Sequence, residues 1–314
     1  MKYFLLLFLL FGFQLAYLRI AGHFNIVDKP NERSSHKLKT LRGGGIVFYI
    51  GVLLFFIISK FQYPWFFFGL TLISIISFAD DIKQLSPKLR MAIQFFTLLP
   101  MFYQCEVFSM PWFLIIIALI VCVGILNAFN FMDGINGMTG AYSLTVIGVL
   151  WYINNYIVQF VDSQLIYIVI LSLLVFSFFN FRTKAKCFAG DVGAVSISFI
   201  ILFLLGLLIF KTQDFSYIVI LAVYGVDTVL TIVHRIMLKE NIFDPHRKHL
   251  FQLLANELKI PHLIVSLFYA LVQLVLFVGL LIFKNYGYAY LTVVVVIISI
   301  VYRVVKRKYF YLHK

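Results

Sequence analysis

Residues 111–127 read PWFLIIIALIVCVGILN and lead directly into the polar segment NAFNFMDGINGMTG at 127–140. An uncharged apolar run of this kind is typical of a helix that crosses a lipid bilayer, which needs roughly 20 residues. The polar segment has side chains at a helical spacing of three, followed by Asp-Gly and Asn-Gly pairs, which end helices. The stretch therefore predicts a membrane-spanning helix with polar chemistry at its end.

The composition of the whole chain points to the same class of protein. Of 314 residues, 62% are hydrophobic and 12% are charged, and the mean hydropathy is +0.99. Soluble domains carry roughly 25% charged residues, so a soluble globular fold would lack the polar residues to cover its surface. Three scattered cysteines exclude a disulfide scaffold. We predict an all-α polytopic membrane protein that forms one integral membrane domain over residues 1–314.

Eleven apolar segments are candidates for membrane-spanning helices. They are residues 3–21, 44–59, 64–79, 91–104, 111–127, 140–158, 164–180, 193–210, 215–234, 262–283 and 287–305. With this division, all but four of the 26 lysines and arginines fall on one face. Positively charged loops stay in the cytoplasm, which predicts a periplasmic N-terminus and a cytoplasmic C-terminus. The net charge of +13 thus follows from membrane topology, and no nucleic acid partner is predicted.

Most acidic residues also fall in the loops that this topology assigns to the cytoplasm. A transporter more often has ionisable residues or broken helices near the middle of the membrane. A polar cluster at one face favours an active site at the cytoplasmic surface instead. A transporter or flippase is the alternative function.

The first polar stretch on this face is basic and rich in glycine. Lys37 and Arg42 lie before Gly43-Gly44-Gly45. Glycine lets the backbone approach a ligand closely, and basic side chains bind phosphate. The alternative is an ordinary positively charged loop before a flexible helix start.

The second stretch has the adjacent carboxylates Asp80 and Asp81, followed by Lys88. Neighbouring carboxylates repel one another unless a cation, a proton or a lysine offsets the charge. Positions i and i+1 of a continuous helix lie on different faces, so only one of the pair would then point into a site. The alternative is a polar helix end before a turn.

The third and fourth stretches combine polar side chains with glycines. Asn127, Asn130 and Asp133 lie three apart, with Gly134 directly after them. Amide and carboxylate groups at this spacing can recognise a base or a sugar through paired donors and acceptors. Asp191 stands near glycines at the start of the eighth predicted span. Such a carboxylate can bind Mg²⁺ while backbone N–H groups face phosphate oxygens, or it can simply cap the helix.

The fifth stretch is the densest polar run in the chain. His246 and His249 lie three apart, with Arg247 and Lys248 between them. This composition suits an anionic ligand, because arginine and lysine would repel a bound cation. The alternative is a basic surface loop.

The five stretches, in this order, resemble those of the polyprenyl-phosphate N-acetylhexosamine-1-phosphate transferase superfamily, glycosyltransferase family 4. The most specific motifs are Asn-x-x-Asn-x-x-Asp-Gly at 127–134 and Phe-x-Gly-Asp-Val-Gly at 188–193. Members begin O-antigen, enterobacterial common antigen, teichoic acid and peptidoglycan lipid intermediates. The resemblance implies a multi-pass enzyme of the bacterial inner membrane that transfers sugar-1-phosphate from a UDP-sugar to undecaprenyl phosphate and releases UMP. The alternative is then a transporter or flippase of a lipid-linked sugar.

Carried over residue by residue, the resemblance implies roles for individual side chains. Asp191 is the implied ligand of Mg²⁺, for which Mn²⁺ can substitute, and Phe188 is implied to stack on uracil. Asn130, Asp133 and Gly134 match positions that contact the nucleotide and its diphosphate.

The remaining motifs are implied to bind phosphate. The acidic pair at 80–81 matches residues that handle the lipid phosphate, and a role as base and a role in positioning both stay open. The candidate catalytic residues are Asp80, Asp81, Asp191, Arg247 and His249. The candidate substrate contacts are Lys37, Arg42, Lys88, Asn127, Asn130, Asp133, Gly134, Phe188 and His246.

Three positions depart from the family pattern. Lys83 comes two residues after the acidic pair rather than three, and Asn136 replaces the second acidic residue of an Asp-Gly-x-Asp-Gly motif. His249-Leu-Phe-Gln252 stands where the peptidoglycan branch has three histidines. The last departure favours an N-acetylhexosamine over a muramyl-peptide substrate and leaves open which UDP-N-acetylhexosamine is used. The family also makes a homodimer plausible.

Overall fold

The structure is a computed structural model that describes residues 1–28, 39–241, 246–309 and 311. Its α-helices, in chain order, are α1 (Lys2–His23), α2 (Ile46–Ile58), α3 (Pro64–Ile82), α4 (Pro87–Gln104), α5 (Trp112–Met132), α6 (Met138–Tyr156), α7 (Ser163–Asn180), α8 (Gly190–Thr212), α9 (Ala222–Met237), α10 (Leu250–Gln252), α11 (His262–Ile282) and α12 (Gly287–Tyr309). Two short strands, β1 (Val27–Asp28) and β2 (Thr40–Leu41), pair antiparallel, with Val27 opposite Leu41. Helices lie over all eleven predicted segments, each of which is within the described ranges.

The prediction of an all-α polytopic membrane protein is confirmed. Eight helical segments in the described ranges are long and apolar enough to cross a membrane, and α2 is a shorter apolar helix. The number of spans and their orientation stay predictions. The ninth predicted span differs from a single α-helix, because residues Phe215–Leu221 form a 3-10 helix before α9 begins. The Asp214 carboxylate caps this 3-10 helix by accepting a hydrogen bond from the Ser216 N–H at 2.9 Å.

Helix α8 forms the centre of the bundle. It is buried along most of its length, since its residues are apolar or small on every side. Phe203 of α8 stacks on Phe66 of α3 with ring centroids 3.9 Å apart. The Ser196 hydroxyl forms a 2.8 Å hydrogen bond with the hydroxyl of Ser74, so the few polar groups at this interface are paired.

The outer surface of the bundle carries large exposed apolar side chains. Ile116 and Ile120 of α5 and Val296 and Ile300 of α12 are about half exposed. Soluble monomers rarely expose contiguous apolar surface on this scale. These faces are therefore suited to contact lipid.

The glycine run at 43–45 packs against the start of α8. The N–H groups of Gly44 and Gly45 donate to the carbonyls of Phe188 and Ala189, at 2.9 and 3.0 Å. A Cβ on Gly193 would lie 2.7 Å from the Gly45 Cα, so both positions need glycine for this approach. Gly44 and Gly45 thus bring the backbone close to the start of α8, and their N–H groups are bonded to protein carbonyls. The expectation that this run approaches a ligand stays a prediction.

Candidate active site

Three carboxylates and two guanidinium groups form a continuous series of ion pairs where α3, α4 and α8 meet. This charge cluster consists of Arg42, Asp80, Asp81, Arg90 and Asp191. Arg42 contacts Asp81 Oδ1 through Nε at 2.6 Å and Asp191 Oδ1 through Nη2 at 2.8 Å. Arg90 Nη1 lies 3.0 Å from Asp80 Oδ2 and 3.2 Å from Asp191 Oδ2. The arginines thus neutralise the carboxylate repulsion that the sequence predicts.

Asp81 holds the first turn of α8. Its Oδ1 and Oδ2 accept hydrogen bonds from the N–H groups of Asp191 and Val192, at 2.8 and 3.0 Å. The first N–H groups of a helix lack partners within the helix and carry partial positive charge, so a carboxylate at this point is stabilising. The cap of α8 therefore comes from Asp81, and the alternative in which Asp191 merely caps its own helix is wrong.

Gly190 makes this arrangement sterically feasible. Its φ is +71°, in the left-handed region that favours glycine. A Cβ at this position would lie 2.5 Å from Asp81 Oδ2 and 2.7 Å from the Gly43 N. The turn before Asp191 therefore needs glycine for both its conformation and its space.

The basic residues of the first two stretches have different positions in the structure. Arg42 lies in the charge cluster with about a quarter of its side chain exposed. Burial by itself lowers the pKa of Arg42, but the ion pairs with Asp81 and Asp191 outweigh that effect and raise it. Lys88 is exposed in the first turn of α4 and is not brought into the cluster. Lys37 lies outside the described residues.

The asparagines at the end of α5 differ in their surroundings. Asn127 Nδ2 donates to Gln94 Oε1 at 2.8 Å, and the two amides join α5 to α4. One turn later, Asn130 lines a small cavity together with Asp80, Arg90 and Asp191. Asn130 is thus beside the charge cluster, while the Asn127 amide is bonded to another helix.

The turn after α5 brings a fourth carboxylate to the same end of the bundle. Asp133 Oδ1 accepts a 2.6 Å hydrogen bond from the Thr139 hydroxyl, and the Gly190 N–H also contacts this carboxylate. Burial raises the pKa of Asp133 to about 7, although the Thr139 hydrogen bond opposes the rise. Gly134 lies against the Phe251 ring, which a Cβ on Gly134 would approach to 3.1 Å.

Phe188 lies on the loop that leads into α8. Its N–H donates to the Leu41 carbonyl at 2.8 Å, and its own carbonyl accepts from Gly44. The side chain is partly exposed, three positions before Asp191. The backbone pairing with β2 therefore holds this aromatic ring near the charge cluster.

His249 lies in a second polar network, which we call the Asp227 network (Asp227, Thr231, His249 and Tyr269). His249 Nδ1 is 3.3 Å from Asp227 Oδ1, and the imidazole is buried. Its ring stacks on His246 with centroids 5.0 Å apart and lies 6.0 Å from the ring of Phe131. Because Phe131 follows Asn130, the end of α5 connects this network to the charge cluster.

The two residues before Lys248, His246 and Arg247, are less buried than His249. Burial, together with the nearby charges of His249 and Arg235, lowers the pKa of His246 to about 3. Arg247 is partly exposed, and its Nη2 lies 3.7 Å from Glu257 Oε1. The loop thus has its histidine pair turned inward and Arg247 near its surface.

Sequence reasoning missed two residues that the structure places in these networks. Arg90 contacts two carboxylates of the cluster, whereas the sequence analysis selected Lys88. Lys88 and Arg90 are two residues apart on α4 and point in different directions. The sequence could have distinguished them only if the helix that packs against α4 had been known. Asp227 lies inside the ninth predicted span, residues 215–234, where a carboxylate without a function is costly. That cost was the available signal.

The described residues hold no set of three or more His, Cys, Asp or Glu side chains arranged around one metal position. Mg²⁺ commonly uses one or two carboxylates and takes its other ligands from substrate phosphates and water. Asp80 and Asp191 are in contact with one another and share Arg90, so one cation could bind to both. The hard oxygen donors of this pair fit Mg²⁺.

Several known proteins are similar in sequence to most of this chain. The model of a family described as glycosyl transferase family 4 matches residues 63–209, which include the acidic pair and Asp191. A Bacillus subtilis (strain 168) protein named probable undecaprenyl-phosphate N-acetylglucosaminyl 1-phosphate transferase is 30% identical over 260 residues, covering 74% of this chain and 70% of the relative. Two proteins named undecaprenyl-phosphate alpha-N-acetylglucosaminyl 1-phosphate transferase are also similar. The one from Yersinia pestis is 24% identical over 275 residues, covering 78% of this chain and 74% of its own. The one from Escherichia coli (strain K12) is 26% identical over 259 residues, covering 75% of this chain and 71% of its own.

These matches confirm the resemblance that the five polar stretches indicate. The Bacillus protein is similar over more than two thirds of its own length, and the residues that the family model matches include the two most specific motifs, at 127–134 and 188–193. The chain belongs to glycosyl transferase family 4.

Proposed function

We propose that this chain is a phosphotransferase that moves N-acetylhexosamine-1-phosphate from a UDP-sugar to undecaprenyl phosphate. The products are undecaprenyl-diphosphate-sugar and UMP, and the reaction would be the first membrane step of a cell-surface polysaccharide. The observation that carries the proposal is the charge cluster at one end of an apolar bundle. A nucleotide in the cytoplasm and a lipid phosphate at the bilayer surface can both reach such a place.

The alternation of arginines and aspartates suits phosphoryl transfer. Catalysis of this reaction depends mainly on positioning and on stabilising charge. Arg42 and Arg90 offer guanidinium groups that can bind phosphate oxygens in place of carboxylates. The names of the relatives and the position of the cluster at one end of the bundle both support a transferase over the alternative of a transporter.

We assign Mg²⁺ to Asp191, with Asp80 as the second carboxylate and Mn²⁺ as a substitute metal. When bound, the metal would supply charge stabilisation for the diphosphate and the departing UMP. Arg90 Nη1 contacts both carboxylates, so its side chain must move aside to admit a cation between them. Asp191 is slightly more exposed than Asp80, which supports it as the principal ligand.

The two members of the acidic pair have different proposed roles. Both oxygens of Asp81 are bonded to the first turn of α8, so its role is to position Asp191. Asp80 forms an ion pair with Arg90. We propose that Asp80 is the member of the pair that interacts with the acceptor phosphate. That phosphate has a second pKa of about 6 and is mostly a dianion at neutral pH. Asp80 is therefore proposed to orient the acceptor, with removal of a last proton as the alternative role.

The proposed setting is the bacterial cytoplasmic membrane, with eleven spans, a periplasmic N-terminus and the active site facing the cytoplasm. The distribution of lysine and arginine supports this orientation. The names of the relatives support N-acetylglucosamine as the first donor sugar to test. A homodimer is the proposed assembly, and light scattering of the purified protein in detergent measures it.

The proposed function is tested by UMP release from purified protein with undecaprenyl phosphate, Mg²⁺ and a panel of UDP-N-acetylhexosamines. We expect release to require the lipid, the metal and one sugar, and to stop on addition of EDTA. Asp191→Asn should lose at least about 100-fold in rate, since it removes the charge proposed to bind the metal. Asp214→Asn is the matched control, because asparagine caps a helix start as well as aspartate. Absence of UMP from folded protein with every donor would refute the proposal.

A further inference from the structure

Asp227 lies inside α9, away from the charge cluster, and its carboxylate accepts hydrogen bonds from three sides. The Tyr269 hydroxyl donates to Oδ2 at 2.7 Å. The Leu250 N–H donates to Oδ1 at 3.1 Å, and the Thr231 hydroxyl donates to the same oxygen at 3.3 Å. His249 Nδ1 contacts Oδ1 as well. An ionised carboxylate can only accept hydrogen bonds, so the Nδ1 atom of His249 that contacts it must be a donor. We therefore take Nδ1 to carry a proton.

The Nε2 atom on the opposite side of the same imidazole lacks a hydrogen-bond partner among the described residues. His249 is 1% exposed, and its Nε2 is a buried polar atom without a hydrogen bond in the described part of the chain. Buried polar atoms are nearly always paired, and an exception in a native fold calls for an explanation such as a ligand. Phe131 and His246 lie against the ring and restrict its rotation.

The backbone beside His249 is also tied to the transmembrane helices. Lys306 of α12 donates from Nζ to the Lys248 carbonyl at 2.8 Å and to the Tyr302 hydroxyl at 2.6 Å. The Tyr302 hydroxyl in turn lies 2.7 Å from the hydroxyl of Thr231. Helices α9, α11 and α12 therefore hold both the side chain of His249 and the peptide before it.

We propose that Asp227 is a positioning residue that holds the Nδ1–H of His249 and thereby presents Nε2 to the UDP-sugar donor. With the proton of a neutral imidazole on Nδ1, Nε2 is an acceptor and can accept a hydrogen bond from a hydroxyl of the donor sugar. This inference rests on the proposed function and adds to it a residue that acts through His249. It also explains why a carboxylate is placed within an apolar helix.

The test is a double-mutant cycle on UMP release with Asp227→Asn, His249→Gln and the combined variant. Asparagine keeps the shape of the side chain but removes the charge. Its amide N–H can also donate to Nδ1 of His249, which would favour the tautomer with the proton on Nε2. We expect Asp227→Asn to lower kcat at least about tenfold, with the KM for undecaprenyl phosphate within about threefold of wild type. In the His249→Gln background the same change should have less than about a twofold effect, because its partner is already absent.

Thr228→Val is the matched control, since Thr228 is the buried neighbour of Asp227 and its hydroxyl has no hydrogen bond in the described structure. It should retain activity within about twofold of wild type, because no polar partner is lost. If Asp227→Asn does not fold, Tyr269→Phe replaces it, since this change removes only the hydroxyl donor to Asp227 Oδ2. Tyr269→Phe should give a smaller loss of kcat that also disappears in the His249→Gln background.

Two results distinguish the inference from the proposed function. Wild-type protein that releases no UMP with any donor refutes the proposed function. Wild-type activity combined with additive losses for Asp227→Asn and His249→Gln overturns the positioning role of Asp227. Asp227→Asn protein that is folded and retains its kcat overturns it as well.

Discussion

Replacement of Gly190 by alanine should disturb the active site through one added methyl group. The residue has φ of +71°, and left-handed backbone costs a non-glycine residue about 1–2 kcal/mol. The new Cβ would lie 2.5 Å from Asp81 Oδ2 and 2.7 Å from the Gly43 N. Both atoms are held in place by their neighbours, so overpacking adds about 1–3 kcal/mol. The total destabilisation is then about 2–5 kcal/mol.

Two measurements check this prediction. Thermal unfolding of the purified protein in detergent should show a Tm lower by about 4–15 °C, using about 2–3 °C for each kcal/mol in a chain of this size. UMP release should fall about 10–100-fold, because displacement of Asp81 moves the first turn of α8 and Asp191 with it. The two losses follow from the same contact.

Gly148→Ala is the matched control for this substitution. Gly148 lies within α6, and a Cβ added there meets nothing within 4 Å. Alanine in a helix interior is favoured over glycine by about 0.5–1 kcal/mol, so the Tm should stay equal or rise. If Gly190→Ala matched this control in both Tm and activity, the proposed contact between Gly190 and Asp81 would be refuted.

Three further predictions concern single side chains. Arg90→Ala should reduce UMP release at least about tenfold, because Arg90 bridges two carboxylates, whereas Lys88→Ala at an exposed position should change it less than about threefold. Equal effects of the two variants in parallel assays would contradict the placement of Arg90. Asn136→Ala should lower the free energy of unfolding by about 1–3 kcal/mol in a denaturant titration, because Asn136 donates to the carbonyls of residues 182 and 183. An unchanged midpoint would argue against those hydrogen bonds. Burial raises the pKa of the Cys187 thiol to about 12, so at pH 8 the reactive thiolate should be scarce and maleimide labelling slow until the protein unfolds. Mass spectrometry of labelled native and denatured protein measures this difference, and rapid labelling of native Cys187 would contradict its burial.

The positions of the helices follow closely from the sequence. Each apolar segment is long and nearly free of charge, and water excludes such segments regardless of what they pack against. The polar stretches at their ends also identify the family, because the order and spacing of residues within a motif are local properties. The helix starts and ends differ from the predicted bounds by a few residues, since caps and turns depend on side-chain hydrogen bonds.

Several roles at the site could not be predicted because they depend on packing between distant parts of the chain. Adjacent positions 80 and 81 look alike in the sequence, yet Asp81 binds the backbone of α8, over a hundred positions further along. Asn127 fits the motif as well as Asn130 does, but its amide is paired with Gln94 of the preceding helix. Each of these contacts depends on how one helix is rotated relative to another, and that rotation cannot be predicted from the sequence alone.

The sequence by itself thus determined the membrane class, the helical segments and the motifs that belong to one family. Hydropathy and short-range spacing express those properties without reference to the rest of the fold. Only the tertiary structure decided that Arg42 and Arg90 share Asp191 and that Asp227 lies beside His249. The physical reason is that ion pairs and hydrogen bonds act over about 3 Å, and only the packed helices bring these side chains within that distance.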